Sequence, residues 1–201
     1  KSNFQSLMDH VGSGSAYDLS KRRSNLSILP PYDGKAFSSF VETIYNMHGY
    51  IEHCREEYVL ISQGNVITNI DYTDVFDFHS KKKADITLIY KNHAIPQGYD
   101  RPITLDVDND GKVNQIFVKP GVVDKEVFNH AYGSILIKKD ILMSEIRNAI
   151  SVNQLDVKRL LQSSLGKYSI YAYENKGYCA AISSINDYFE FNMDLMKKEV
   201  R

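Results

Sequence analysis

The fold is decided by residues 58–90, which read YVLISQGNVITNIDYTDVFDFHSKKKADITLIY. Residues 58–62 are a short, continuous apolar run, which predicts a strand buried on both faces. Asp71 can cap a helix that carries Val75, Phe76 and His79, and residues 85–90 return to strand character. A long amphipathic helix is expected before this stretch, from residue 37 to about Cys54. The order αβαβ favours a parallel sheet with helices on both sides.

Downstream of residue 90 the pattern predicts a hairpin and then a return to strands and helices. Residues 103–107 and 113–118 alternate around Asn109-Asp110-Gly111, whose residue types suit a tight turn. The other predicted elements are a helix at residues 4–11 stopped by Gly12, strands at 132–137, 168–173 and 178–182, a helix capped by Asp140 through Ile150, and a helix from Ser184 with a capping box closed by Asp187. We therefore expect one α/β domain over residues 1–201, with a mixed, mainly parallel sheet flanked by helices and an inserted β-hairpin.

Composition excludes several classes of protein. The chain has 201 residues, 43% of them hydrophobic, which indicates a globular domain. Its 24 Lys and Arg residues against 25 Asp and Glu residues give a net charge of -1, so nucleic acid is not an expected partner. No apolar run approaches the roughly 20 residues of a membrane helix, so no membrane association is expected. Two cysteines, Cys54 and Cys179, suit a reducing compartment, and we expect a cytoplasmic protein.

Residues 106–111, DVDNDG, imitate two kinds of metal site. They match the first half of a calcium loop, but position 12 is Phe117 where a bidentate carboxylate is needed. Asp106 and Asp108 also imitate the D-x-D pair that holds a metal-bound sugar nucleotide, yet they lead into a turn. A solvated hairpin tip is the better interpretation.

Several segments, in chain order, resemble the glucose-1-phosphate adenylyltransferases, also called ADP-glucose pyrophosphorylases. Residues 59–72 resemble the family stretch that reads approximately VLILAGDHIYKMDY. The similarity continues through residues 84–87 (ADIT), 117–120 (FVKP), Tyr132-Gly133, Gly177-Tyr178 and 192–195 (NMDL). The resemblance implies a nucleotide-diphospho-sugar transferase-like, Rossmann-like fold. It also implies a truncated domain, because the family's N-terminal glycine-rich segment and C-terminal β-helix have no counterpart in residues 1–201. Residues 6–14 and 28–31 are similar to the regulatory (GlgD-type) subunit of the bacterial enzyme.

The departures from the family pattern imply that this chain does not catalyse the family reaction. Family catalysts join ATP and glucose 1-phosphate using magnesium held by two aspartates. At those positions this chain has Asn65 and Ala181, and residues 39–43 (SFVET) replace a small turn, GTADA, near the nucleotide. An amide and a methyl group offer no anionic oxygen to a hard cation. The expected protein is a regulatory subunit that supports ADP-glucose synthesis in bacterial glycogen biosynthesis, with Mg²⁺ in the catalytic subunit and no cofactor of its own.

The resemblance also supplies ligand candidates and a partner. Lys119 takes the place of the lysine that meets the sugar phosphate, and Gln63 and Gly64 fall in the nucleotide pocket. The expected partner is the catalytic adenylyltransferase subunit in a hetero-oligomer, with a sugar phosphate or nucleotide as ligand. Two alternatives stay open: an active sugar-nucleotide transferase with relocated metal ligands such as Asp106 and Asp108, and a sensor that binds a sugar phosphate through Lys119.

Overall fold

The computed structural model of the chain describes residues 4–17, 19, 26–29, 39–93, 103–118, 128–198 and 200. Its helices are α1 (Phe4–Val11), α2 (Phe40–Asn46), α3 (His48–His53), α4 (Tyr72–Lys82), α5 (Lys139–Ser151), α6 (Val157–Ser164) and α7 (Ile185–Asp194). Its strands are β1 (Tyr58–Ile61), β2 (Val66–Thr68), β3 (Ile86–His93), β4 (Ile103–Val107), β5 (Val113–Val118), β6 (Phe128–Lys138), β7 (Ile170–Glu174) and β8 (Cys179–Ala181). Among the described residues, none of the helices has the length and apolarity that a bilayer crossing requires.

The main sheet has the strand order β5-β4-β6-β3-β7, and β1 also pairs with β6. This confirms the predicted α/β fold with a mixed sheet flanked by helices. The balance of directions differs from the expectation of a mainly parallel sheet. Strands β3 and β7 pair in parallel, whereas β1, β3 and β4 all pair with β6 in the antiparallel sense. The reason is that β1 and β3 do run in the same direction, as the αβαβ order indicates, but β6 returns between them.

Strand β3 is the centre of the core because its alternate side chains enter two different apolar clusters. Ile86 and Leu88 join the larger cluster, to which α2, α5 and α6 contribute. Ile89 joins a smaller cluster with Val75 of α4 and Leu136 of β6. A strand with both faces covered reads as a continuous apolar run, which is why residues 85–90 were recognisable as a strand.

Strand β6 is bent, and its two halves have different neighbours. Residues 128–131 lie between β3 and β4, whereas residues 135–138 lie between β3 and β1. Gly133, at the junction, has a φ of 80°, a conformation that is costly for any residue with a side chain. The register of β3 also shifts opposite this point, between Leu88 and Tyr90. The bend therefore lets β6 pair with the hairpin strand β4 in its first half and with β1 in its second half.

The predicted hairpin is confirmed, and its tip closes onto the far edge of the sheet. Strands β4 and β5 pair in antiparallel fashion, and Gly111 in the turn has a φ of 86°. The Gly111 carbonyl oxygen accepts a hydrogen bond of 2.8 Å from the backbone N–H of Ala172 on β7. The Lys82 ammonium on α4 pairs with the Asp110 carboxylate at 2.5 Å. The tip thus covers part of the outer edge of β7 and is joined to α4.

Three sequence-based predictions about local structure need correction, and two elements were not predicted. The long helix is interrupted at Met47, where α2 ends and α3 begins. Strand β1 is not buried on both faces, because Leu60 is 40% exposed and the other three residues of the strand are only partly buried. Helix α5 begins after Lys138, which makes no side-chain cap, so Asp140 lies in the first turn instead of capping it. Elements α6 and β2 were not predicted, although Asp156 followed by apolar residues at 157, 160 and 161 is a helix signal.

Asp85 connects three strands at one end of the sheet. Its carboxylate accepts hydrogen bonds from the Lys138 ammonium (2.7 Å), the Ser169 backbone N–H (3.0 Å) and the Ser169 hydroxyl (2.9 Å). Partial burial opposes ionisation, but these hydrogen bonds outweigh it and hold the pKa of Asp85 below its usual range. The carboxylate therefore holds the starts of β3 and β7 against the end of β6.

We expect Asp85→Asn to lower the free energy of unfolding by about 1–3 kcal/mol, because it removes the charged acceptor and leaves the Lys138 ammonium without its partner. Urea unfolding at pH 7 measures this difference. Asp77→Asn, at an exposed position of α4, is the matched control and is expected to change stability by less than about 0.5 kcal/mol. Equal losses in the two variants would contradict the assignment.

Candidate functional site

The candidate site lies where the loop after β1 meets the two-stranded sheet formed by β2 and β8, hereafter the β2/β8 ribbon. Val66 is directly opposite Ala181 in this antiparallel pair. One residue further out, the backbone N–H of Ile182 donates to the Asn65 carbonyl oxygen at 2.8 Å. Asn65 and Ala181, more than a hundred residues apart in the chain, are therefore brought to neighbouring positions at one end of the ribbon.

The side chain of Asn65 has a defined contact at this position. Its Nδ2 donates a hydrogen bond of 3.1 Å to the carbonyl oxygen of Ile182. An aspartate has no hydrogen to donate there, so the amide is chemically distinct from the carboxylate it replaces in the resemblance. Ala181 is 4% exposed and presents only a methyl group. The two residues together offer no anionic oxygen for a hard cation.

Gln63 and Gly64 have different environments. The side-chain amide of Gln63 lies against Gly133 in the bend of β6, where an added Cβ would collide with it. Gln63 also lines a cavity of about 70 Å³ together with Ser134 and Lys158, and the other lining residues are mostly apolar. Gly64 is exposed in the turn, and a Cβ added to it would have no atom within 4 Å. Of these two nucleotide-pocket candidates, Gln63 is the one that lines a cavity.

Lys119, the sugar-phosphate candidate, lies outside the described residues. The last described position before it is the end of β5 at residue 118. Its role therefore stays a prediction.

The ribbon is tied to the main sheet by contacts that sequence reasoning missed. Asn175, which is 4% exposed, donates from Nδ2 to the Thr68 hydroxyl oxygen at 2.8 Å and accepts at Oδ1 from the Gly177 N–H at 2.9 Å. The Lys91 ammonium of β3 donates to the Gly177 carbonyl oxygen. An added Cβ at Gly177 would collide with the carbonyl oxygen of Asn69, so only glycine fits there. The Asn-x-Gly spacing after a strand was the one available signal of such a turn.

Two ionisable side chains of the ribbon region, Tyr178 and Cys179, are held in their neutral forms. Burial raises the pKa of the Cys179 thiol to about 11, so it carries little thiolate at neutral pH. Burial and, next, a hydrogen bond to Asp194 raise the pKa of Tyr178 to about 12. Neither side chain is activated as a nucleophile or base. Within the described part of the chain, no group of three or more His, Cys, Asp or Glu side chains is arranged to hold a metal ion.

The hydrogen bond from Asn65 to Ile182 predicts a stability difference between amide and carboxylate. We expect Asn65→Asp to lower the free energy of unfolding by about 0.5–1.5 kcal/mol, because the donor is lost and a negative oxygen faces a carbonyl oxygen. Asn114→Asp, on an exposed position of β5, makes the same chemical change and is expected to have no such effect. Chemical denaturation without divalent ions measures both. A loss no larger for Asn65→Asp than for Asn114→Asp would show that the contact does not hold the ribbon.

Comparison with curated proteins shows which known proteins this sequence is similar to. No protein-family model matches the chain. The glucose-1-phosphate adenylyltransferase of Clostridium acetobutylicum is 31% identical over 94% of this chain and 51% of its own length. Those of Bacillus subtilis and Clostridium kluyveri are 28% and 27% identical over 96% of this chain, each over 52% of its own length.

The chain thus spans about half the length of the curated relatives it matches, and the matched region is their N-terminal half. The identity extends over nearly the whole chain in relatives from several bacteria. Over this region the chain is therefore similar to the glucose-1-phosphate adenylyltransferases.

Proposed function

We propose that this chain is the nucleotidyltransferase-like part of a regulatory (GlgD-type) subunit of glucose-1-phosphate adenylyltransferase, and that it does not itself make ADP-glucose. The observation that carries the proposal is the side-by-side position of Asn65 and Ala181 at one end of the β2/β8 ribbon. The resemblance assigns these two positions to the magnesium-binding aspartates of the catalytic relatives. Their proximity supports the idea that they once formed a single site.

The rate that is lost with both magnesium ligands is large enough to abolish catalysis, not only to slow it. A divalent ion that bridges phosphate oxygens stabilises the transition state by several kcal/mol. Each 1.4 kcal/mol is about a factor of ten in rate, so loss of both ligands costs roughly a thousandfold or more. The neutral Cys179 and Tyr178 beside the ribbon do not supply a substitute anion near neutral pH.

The proposed partner is a catalytic adenylyltransferase subunit, with which this chain acts in a hetero-oligomer of bacterial glycogen synthesis. The test uses the full-length protein purified alone and together with that subunit. Formation of ADP-glucose from ATP and glucose 1-phosphate is measured with Mg²⁺. We expect background turnover from the protein alone and an altered rate or effector response when it is added to the catalytic subunit. Turnover by the protein alone would overturn the proposal.

Restoring the carboxylates is a sharper test of the same site. We expect the double variant Asn65→Asp, Ala181→Asp to gain thermal stability on addition of Mg²⁺, because ligand binding to the folded state alone raises its stability. The wild-type protein is expected to show no such shift. The matched control is Asn65→Asp with Ala181→Asn, which has one carboxylate fewer at nearly the same volume. A Mg²⁺-dependent shift of equal size in the wild type would mean that the ion does not need these carboxylates.

The alternative of an active transferase with relocated ligands gains no support from the hairpin. Asp108 already accepts hydrogen bonds of 2.9 Å from the backbone N–H groups of Asp110 and Lys112. Asp106 is exposed on β4, and Asp110 is paired with Lys82. If the full-length protein did turn over substrate and Asp106→Ala abolished this turnover, the alternative would replace the regulatory proposal.

The other alternative that the sequence leaves open is a sensor that binds a sugar phosphate through Lys119. A lysine ammonium is a compact point charge that suits a phosphate dianion. We expect Lys119→Ala to weaken binding of glucose 1-phosphate at least about tenfold, the effect of losing roughly 1.4 kcal/mol from one charged hydrogen bond. Isothermal titration calorimetry measures it, with Lys112→Ala at an exposed position of the β4–β5 hairpin as the control. Equal heats of binding for the wild type and Lys119→Ala would contradict a role of Lys119 in sugar-phosphate binding.

A further inference from the structure

His79 is a buried histidine that joins α4 to the sheet. It is 1% exposed, and its Nδ1 lies 2.8 Å from the hydroxyl oxygen of Thr87 on β3, itself fully buried. Its ring meets the Tyr58 ring of β1 edge to face, with centroids 5.3 Å apart. Its Nε2 has no hydrogen-bond partner among the described residues. The ring is thus packed as a neutral imidazole with one nitrogen satisfied.

The surroundings of the ring oppose a second proton. Burial lowers the pKa of His79, and the nearby Lys138 ammonium on β6 lowers it further, against the weaker opposing effect of Asp85. Lys138 and Asp85 are paired with each other at 2.7 Å, so the carboxylate is not available to balance an imidazolium. Tyr58 on β1 contributes an aromatic face, and Thr87 on β3 contributes a neutral hydroxyl. A protonated ring would bury a charged N–H with no acceptor from any of these elements.

Helix α4 is joined to the β2/β8 ribbon at the end opposite to Asn65 and Ala181. The helix begins after Asp71, which caps it through the Thr73 N–H at 2.8 Å. Two residues earlier, the Asn69 N–H donates to the Tyr178 carbonyl oxygen at 2.9 Å, just before β8. Apart from His79, the fully buried apolar anchor of α4 is Val75. A loss of the His79 contact would therefore weaken both the helix and the end of the β2/β8 ribbon to which it is joined.

We propose that His79 is an acid-sensitive joint, whose protonation releases α4 from β3 and loosens the ribbon that carries Asn65 and Ala181. The inference concerns the fold and does not depend on the proposed function. In the unfolded chain a histidine takes up its proton near pH 6.5. Because the pKa of His79 is lower in the folded protein, the unfolded and locally open forms bind more protons below about pH 6.5. The contribution of His79 to stability is thus present above that pH and is lost as the pH falls.

Hydrogen–deuterium exchange of the full-length protein tests the joint. After correction for intrinsic exchange rates, we expect peptides covering residues 72–82 and 179–182 to exchange faster at pH 5.5 than at pH 7.5. The acceleration is up to about tenfold, the limit for an open-state ring that titrates near 6.5 while the folded ring stays neutral. In His79→Phe, which keeps an aromatic ring but cannot take up a proton, this acceleration is expected to disappear. His53→Phe, at an exposed position of α3, is the matched control and is expected to respond like the wild type.

A second measurement covers the case in which His79→Phe does not fold. Nuclear magnetic resonance titration of the wild-type imidazole is expected to show a midpoint below about 6.5, with the onset of fast exchange in α4 at the same pH. Asp85 does not confuse the result, because its pKa lies well below this range. An ordinary midpoint without faster exchange would overturn the proposal. So would the same acid response in His79→Phe as in the wild type.

Discussion

The antiparallel return of β6 between β1 and β3 is the constraint on which the rest of this structure depends. One strand pairs with three others because it bends at Gly133, where only a residue without a side chain readily takes a φ of 80°. The first half of β6 holds the hairpin, and the second half holds β1. The loop that follows β1 contains Gln63 and Asn65, and Gln63 packs onto Gly133 itself. The bend thus positions the candidate site as well as the sheet.

The site is held together by hydrogen bonds of two neutral side-chain amides. Asn65 donates to a backbone carbonyl, and Asn175 both donates and accepts between Thr68 and Gly177. These neutral contacts hold the β2/β8 ribbon together. At the two positions that the resemblance assigns to magnesium-binding aspartates, Asn65 and Ala181 carry no negative charge. This is compatible with the proposed regulatory role.

Local signals in the sequence were reliable where the chemistry was local. Asp71 and Ser184 were recognised as caps because a side-chain oxygen near a helix start bonds to amides two or three residues on. Gly111 was recognised because its turn requires a positive φ. The interruption at Met47 was missed because apolar residues continue on both sides of it. The strand character of β2 was missed because three half-buried residues have no periodicity to detect.

The sequence by itself determined the α/β class, the hairpin, the main caps and the resemblance that singles out Asn65 and Ala181. These depend on residue types within a few positions of one another, or on motifs that keep their order along the chain. Only the tertiary structure decided that β6 lies between β1 and β3, that Asn65 and Ala181 are neighbours, and that His79 packs against Tyr58 with no partner for Nε2 in the described part of the chain. Strand neighbours and burial arise from contacts between residues far apart in the chain. No local pattern specifies which distant strand will pair with a given strand.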